Sequence, residues 1–133
     1  MDFPARLMAH LGSAARVSAW ICVAAIAYLS LVPHSMEIRT PLPGGVEHAI
    51  AYAGTAVLLK LGYPRKALFV IASALFAYSG VLEVLQTFVD GRHSEVVGAL
   101  WSGGGALVGA FAAEAILSRW RSSQTSNHQQ LTP

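Results

Sequence analysis

The chain has 133 residues, 54 % of them hydrophobic and only 12 % charged, with a single cysteine and a formal net charge of +2. Soluble domains carry about 25 % charged residues, so this composition cannot cover a water-facing surface and indicates one membrane domain. The basic residues are scattered in small groups between apolar runs, which excludes a nucleic-acid-binding face, and Cys22 has no partner for a disulfide or a zinc spacing.

A helix needs about 20 mostly apolar residues to cross a bilayer, and four runs approach that length. The first extends from Ala15 to Val32 and stops at Pro33. It is long for the apolar part of a signal peptide, it has no clean small-x-small cleavage site before Pro33, and three further runs follow, so it reads as a span. The second, Val46 to Leu61, is short, carries charge at both ends, and lies between Pro43-Gly44-Gly45 and Gly62-Tyr63-Pro64, clusters that punctuate helices. The third covers Lys66 to Phe88 and the fourth Val96 to Leu117. The expected fold is an all-α membrane protein, a four-helix transmembrane bundle. Its parts are a short N-terminal segment (1–14), the membrane domain (15–118) and a polar tail (119–133), whose composition predicts disorder from Ser122 onward.

Orientation follows from the loops. Arg6, Arg16, Lys60, Arg65, Lys66, Arg119 and Arg121 fall on one side of such a bundle, and Arg39 and Arg92 on the other. The positive-inside rule assigns the richer side, and with it both termini, to the cytoplasm.

Polar residues gather near the opposite, outer ends of the spans. Glu83 lies about five residues before the end of the third span, roughly 7–8 Å deep, with Gln86 one turn further on the same face. His48 opens the second span after Glu47, and Tyr52 follows one turn below. Ser102 sits about two turns into the fourth span, and the outer loop holds Asp90, Arg92, His93 and Glu95. An intramembrane carboxylate costs about 2.5–3.5 kcal/mol on insertion scales and generally faces a bundle interior, so Glu83 is expected to point inward, toward His48, Gln86 or Arg92. The plain alternative is interhelical hydrogen-bond glue, but Ser or Thr would serve that purpose with less desolvation. Taken singly, His48 is an ordinary polar helix start, Arg92 a loop charge balanced by Asp90 or Glu95, and Tyr52 a core residue. Lys60 and Glu114 lie near the cytoplasmic ends and are expected to snorkel. In the fourth span Gly98, Ser102, Gly105, Gly109 and Ala113 form a small-residue seam. It suits packing within the chain in preference to a homodimer through Gly105 and Gly109. The Gly103–Gly105 cluster is no phosphate loop, because no strand precedes it and no Lys-Ser/Thr follows.

These residues resemble the VanZ-like family of small bacterial membrane proteins. The likeness covers about Leu29 to Ala113. It begins at Leu29-Ser30-Leu31-Val32-Pro33, continues at His48-x-x-x-Tyr52, and is strongest at Gly80-x-x-Glu83-x-x-Gln86-x-Phe88 followed by Gly91-Arg92, with Gly105-Ala106 and Gly109 closing it. Two positions depart from the family pattern: Gly98 stands where an aspartate is usual and Ser102 where an asparagine is usual. The resemblance implies a multi-pass protein of the bacterial cytoplasmic (inner) membrane with an envelope role, linked in the namesake to resistance against teicoplanin-type lipoglycopeptides.

Three functions remain open on this reading. The preferred one is a non-enzymatic protein without metal or cofactor, whose outer-leaflet pocket of His48, Tyr52, Glu83, Gln86, Arg92 and Ser102 binds a lipid head group or lipid-linked envelope ligand. Arg92 would meet phosphate through its planar donors. The second is an intramembrane enzyme using His48 and Glu83 as acid and base, although no GxSxG, HExxH or activated cysteine is present. The third, a proton-linked transporter, requires polar groups in both halves of the bilayer.

Overall fold

The computed structural model describes residues 3–33, 41–91 and 96–130, and the side chains of 9–33, 41–91 and 96–123. Among them are four helices and no strand: α1 (Phe3–Leu31), α2 (Gly44–Gly62), α3 (Leu68–Gln86) and α4 (Val96–Gln130). Three segments, Ala9–Leu31, Leu68–Gln86 and Val96–Ser123, are long and apolar enough to cross a membrane. The short α2 is not among them, because Glu47, His48 and Lys60 lower its hydropathy.

The helix boundaries follow local chemistry. Helix α1 starts well before the expected span. Pro4 sits in its first turn, where a missing N–H does no harm, and the alanine-rich stretch behind it supports propagation. Helix α2 begins after Pro43, whose carbonyl accepts the N–H groups of Val46 and Glu47. Helix α3 ends in successive turns at Thr87, Phe88 and Val89, after which Gly91 takes a left-handed φ of 73°. Helix α4 runs on to Gln130, through the stretch read from composition as disordered. From Ser122 to Gln130 there is no Gly or Pro to break the helix. Extending an existing helix also avoids the nucleation cost that a separate segment would face.

Helix α2 is the hub. It packs most extensively on α4 and next on α1, and it touches α3; α3 lies chiefly against α4, and α1 and α4 make no contact among the described residues. The α2–α4 approach is close enough that a Cβ on Gly105 would run into the backbone of Ala49, and one on Gly109 into that of Ala53. The small-residue seam is therefore occupied within the chain. Both glycines are buried against α2.

The core is thin and alanine-rich: Tyr52, Ala56, Ile71, Leu75, Ala106 and Ala110, backed by Ile26, Leu59, Leu68 and Tyr78. Large apolar side chains such as Ile21, Phe69, Val84, Val108 and Phe111 face outward, while Thr55, Lys60, Ser79, Gln86 and Ser102 are buried. In water the exposed apolar area would be a liability. Surrounded by lipid it is the expected arrangement, with the polar side chains satisfied inside, and it marks this as a membrane protein.

Candidate functional site

The helix ends that meet near residues 45, 86 and 98 carry the polar cluster. On α2, His48 and Tyr52 are one turn apart on one face. On α3, Ser79 and Glu83 have the same spacing, and on α4 so do Gly98 and Ser102. Two polar pairs and one glycine–serine pair thus line the seam where these helices meet.

The upper rung joins Glu83, His48 and Gly98. A Cβ built on Gly98 would lie 2.5 Å from Oε1 of Glu83 and 3.7 Å from Cδ2 of His48. Carboxylate and imidazole therefore both approach one bare backbone position. Both side chains are half-buried. Glycine is what admits the carboxylate this close to α4.

The lower rung consists of Tyr52, Ser79 and Ser102, all buried, with the Tyr52 hydroxyl near both serines. The Ser102 hydroxyl also donates to the Gly98 carbonyl at 2.9 Å. The two rungs are linked through α4: Gly98 supplies the floor under Glu83 and the acceptor for Ser102.

Of the residues expected at the site, His48, Tyr52, Glu83 and Ser102 converge here. Gln86 does not. Its Nε2 donates to the Ser30 carbonyl at 2.9 Å, one of the four carbonyls that the end of α1 leaves without an intrahelical partner. One turn on a helix leaves a 60° difference in direction, enough to send Glu83 toward α4 and Gln86 toward α1. Tyr78 makes a similar tie, donating to the Val23 carbonyl at 2.7 Å. Arg92, and with it His93 and Glu95, lies outside the described residues.

Ser79 belongs to the site although the sequence reading passed over it. Its place four residues before Glu83 was a usable signal.

A second polar cluster lies at the other end of the bundle, where snorkelling was expected. Lys60 is only 2 % exposed. Its ammonium pairs with Glu114 at 2.6 Å and donates to the Pro64 carbonyl at 3.1 Å and the Lys66 carbonyl at 2.5 Å. Three donors meet three acceptors, so the charge has no reason to reach for water. Arg121 holds the other oxygen of Glu114 at 2.6 Å.

Between the two clusters lies an apolar layer of Ala56, Ile71, Leu75, Ala106 and Ala110. From Tyr52 to Lys60 along α2 the rise is about 12 Å. The one buried hydroxyl between them, that of Thr55, is turned onto its own helix at the Ala51 carbonyl.

On the outer face of the α2–α4 seam, beside the polar cluster, runs an apolar groove of about 590 Å³, walled by Ile50, Leu100, Trp101 and Val108. Among the described residues no group of His, Cys, Asp and Glu is arranged to hold a metal ion.

In comparisons with known proteins, no family model, no curated protein and no solved structure matches this chain.

Proposed function

We propose that this chain is a VanZ-like protein of the bacterial cell envelope, crossing the cytoplasmic membrane four times with both termini in the cytoplasm. In this reading a pocket in its outer-leaflet half, built by His48, Tyr52, Glu83 and Ser102 with Ser79 behind them, binds a lipid head group or a lipid-linked or lipoglycopeptide ligand. Arg92, in the loop after α3, supplies a phosphate contact.

The observation that carries this reading is the approach of both Glu83 and His48 to Gly98. A carboxylate used only as glue would need no gap in the facing helix. The position of α2 supports a fourth crossing: its 19 residues span about 28 Å, close to the hydrocarbon thickness, and the three other helices shield it. The orientation is supported by Arg16, Arg65, Lys66, Arg119 and Arg121, which share one end. The apolar groove suits the hydrocarbon part of a ligand whose head engages the cluster.

The test is teicoplanin susceptibility in a sensitive host expressing the wild-type chain or Glu83→Ala, with membrane abundance matched by blot. The expected outcome is raised resistance with the wild type and none with Glu83→Ala. Equal susceptibility in both, with normal insertion, would remove the antibiotic link and return Glu83 to a packing role.

A further inference from the structure

We infer that the corner formed by Arg16 of α1 and the turn between α2 and α3 is a binding site for the phosphate of an anionic membrane lipid. It lies at the end of the bundle away from Glu83 and stands independently of the function proposed above.

The cations come from two elements that cross at Gly62 and Tyr63. Helix α1 crosses the end of α2 so closely that a Cβ on Gly62 would lie 2.6 Å from Cγ of Arg16 and 3.0 Å from its backbone nitrogen. This sets the Arg16 guanidinium 5.9 Å over the Tyr63 ring. One of its nitrogens donates to Ser13 Oγ at 3.1 Å, a single use among the five N–H donors of arginine. Two and three residues beyond Tyr63 come Arg65 and Lys66, both exposed.

The backbone carrying these two cations is held from below. The Tyr63 N–H bonds the Leu59 carbonyl at 2.8 Å and the Lys66 N–H bonds the Tyr63 carbonyl at 3.0 Å. Buried Lys60 grips the carbonyls of Pro64 and Lys66 from inside the bundle. The turn is thus fixed before any ligand arrives, which lowers the ordering cost of binding.

Among the described residues no acidic side chain is paired with these three cations. Glu114 is the acidic side chain at this end among those described, and Lys60 and Arg121 take both of its oxygens. An arginine fork beside a second arginine and a lysine is suited to phosphate oxygens.

Depth selects a lipid over a free anion. Trp20 donates its indole N–H to the Tyr63 hydroxyl at 3.1 Å, and paired Trp and Tyr rings of this kind sit at the head-group level of a bilayer. Exposed Val17 and Ile21 continue down the same helix into the apolar zone. A phosphate held by Arg16, Arg65 and Lys66 would have its acyl chains beside these residues.

The test uses the full chain in nanodiscs, comparing phosphatidylglycerol with phosphatidylcholine by lipid competition and by native mass spectrometry of retained lipid. Phosphatidylglycerol is expected to be retained in preference. Each basic residue near a membrane surface contributes about 1 kcal/mol, or about fivefold in affinity. Arg65→Gln should therefore reduce the preference about fivefold, and the triple variant Arg16→Gln, Arg65→Gln, Lys66→Gln about a hundredfold. Arg119→Gln, at the same end but on the helix that does not touch α1, should change it less than Arg65→Gln does. Circular dichroism and gel filtration check folding, and if the triple variant fails either, the single Arg65→Gln decides. Equal retention of the two lipids, an unaltered preference in Arg65→Gln, or an equal loss in Arg119→Gln would overturn the proposal. So would full displacement of the lipid by inorganic phosphate, which would identify a site for free anions.

Discussion

Gly98 and Gly105 are seven residues apart on one helix, and both sit where a side chain would collide, yet the collisions differ in kind. At Gly98 the obstacle is the far end of Glu83, which can swing aside; at Gly105 it is the backbone of Ala49, which cannot. Gly98→Ala should therefore displace the Glu83 carboxylate while the fold holds, and alanine's better helix propensity, about 1 kcal/mol over glycine, should keep the thermal midpoint level or raise it. Gly105→Ala should push α2 and α4 apart and cost about 1–3 kcal/mol. Thermal unfolding in detergent, read beside antibiotic susceptibility at matched abundance, separates the two: site lost with stability kept for Gly98→Ala, stability lost for Gly105→Ala. If Gly98→Ala retains full activity, Glu83 has no need of that approach and the proposed pocket is wrongly built. At this scale the sequence is only half legible. Periodicity puts His48 above Tyr52 and marks Glu83 as inward-facing, because those relations are local. Gly98 reads as a missing aspartate, since its use depends on a side chain reaching across from α3.

At the scale of the helices, α1 is the least embedded element, with Ala19 its one buried residue among those whose side chains are described. Its attachment to α3 runs through two side-chain-to-carbonyl bonds, from Tyr78 to Val23 and from Gln86 to Ser30. Gln86→Leu keeps the volume but leaves the Ser30 carbonyl without its donor, and a bond of this type in a membrane protein contributes about 0.6–2 kcal/mol. The expected outcome is a lower thermal midpoint with susceptibility unchanged, whereas Glu83→Leu should show the reverse; a Gln86→Leu variant that abolishes resistance at normal stability would return Gln86 to the ligand site. The existence and order of the four helices are readable from apolar runs bounded by Pro and Gly. Gln86 is not readable as a strap because its acceptor is a backbone carbonyl, invisible to residue-type patterns. Lys60 is misread for a related reason: its acid lies 54 positions on, and nothing local distinguishes a buried lysine from a snorkelling one.

For the whole molecule the arrangement is layered: polar groups at both ends of the bundle and a dry alanine-rich layer between them. The presence of Lys60 and Glu114 in the second half meets the demand for polar groups on both sides of the membrane, which would favour proton transfer were the layers joined. They are separated by about 12 Å of Ala56, Ile71, Leu75, Ala106 and Ala110, too far for a proton to pass between side chains without water. Proton flux through the purified chain in liposomes is expected at background level, with a pH-sensitive dye as readout. A flux that vanishes in Glu83→Gln would contradict the layering and establish a relay. Composition alone announces the inside-out distribution, since 12 % charged residues cannot clothe a soluble surface. The dry layer is a matter of which small residues from α2, α3 and α4 come to one level, which no single stretch of sequence contains.

Helix α4 has 35 residues in one unbroken run, about 52 Å by its rise, against a hydrocarbon slab of about 30 Å. It is held to α2 at two levels, where Gly105 and Gly109 meet Ala49 and Ala53 and again at the Lys60–Glu114 pair. Ala115 to Gln130, about 24 Å of helix by its rise, extends past the second hold. A distance probe attached to that extension would report the tilt of the whole helix, and with it any adjustment at Gly98 and Ser102.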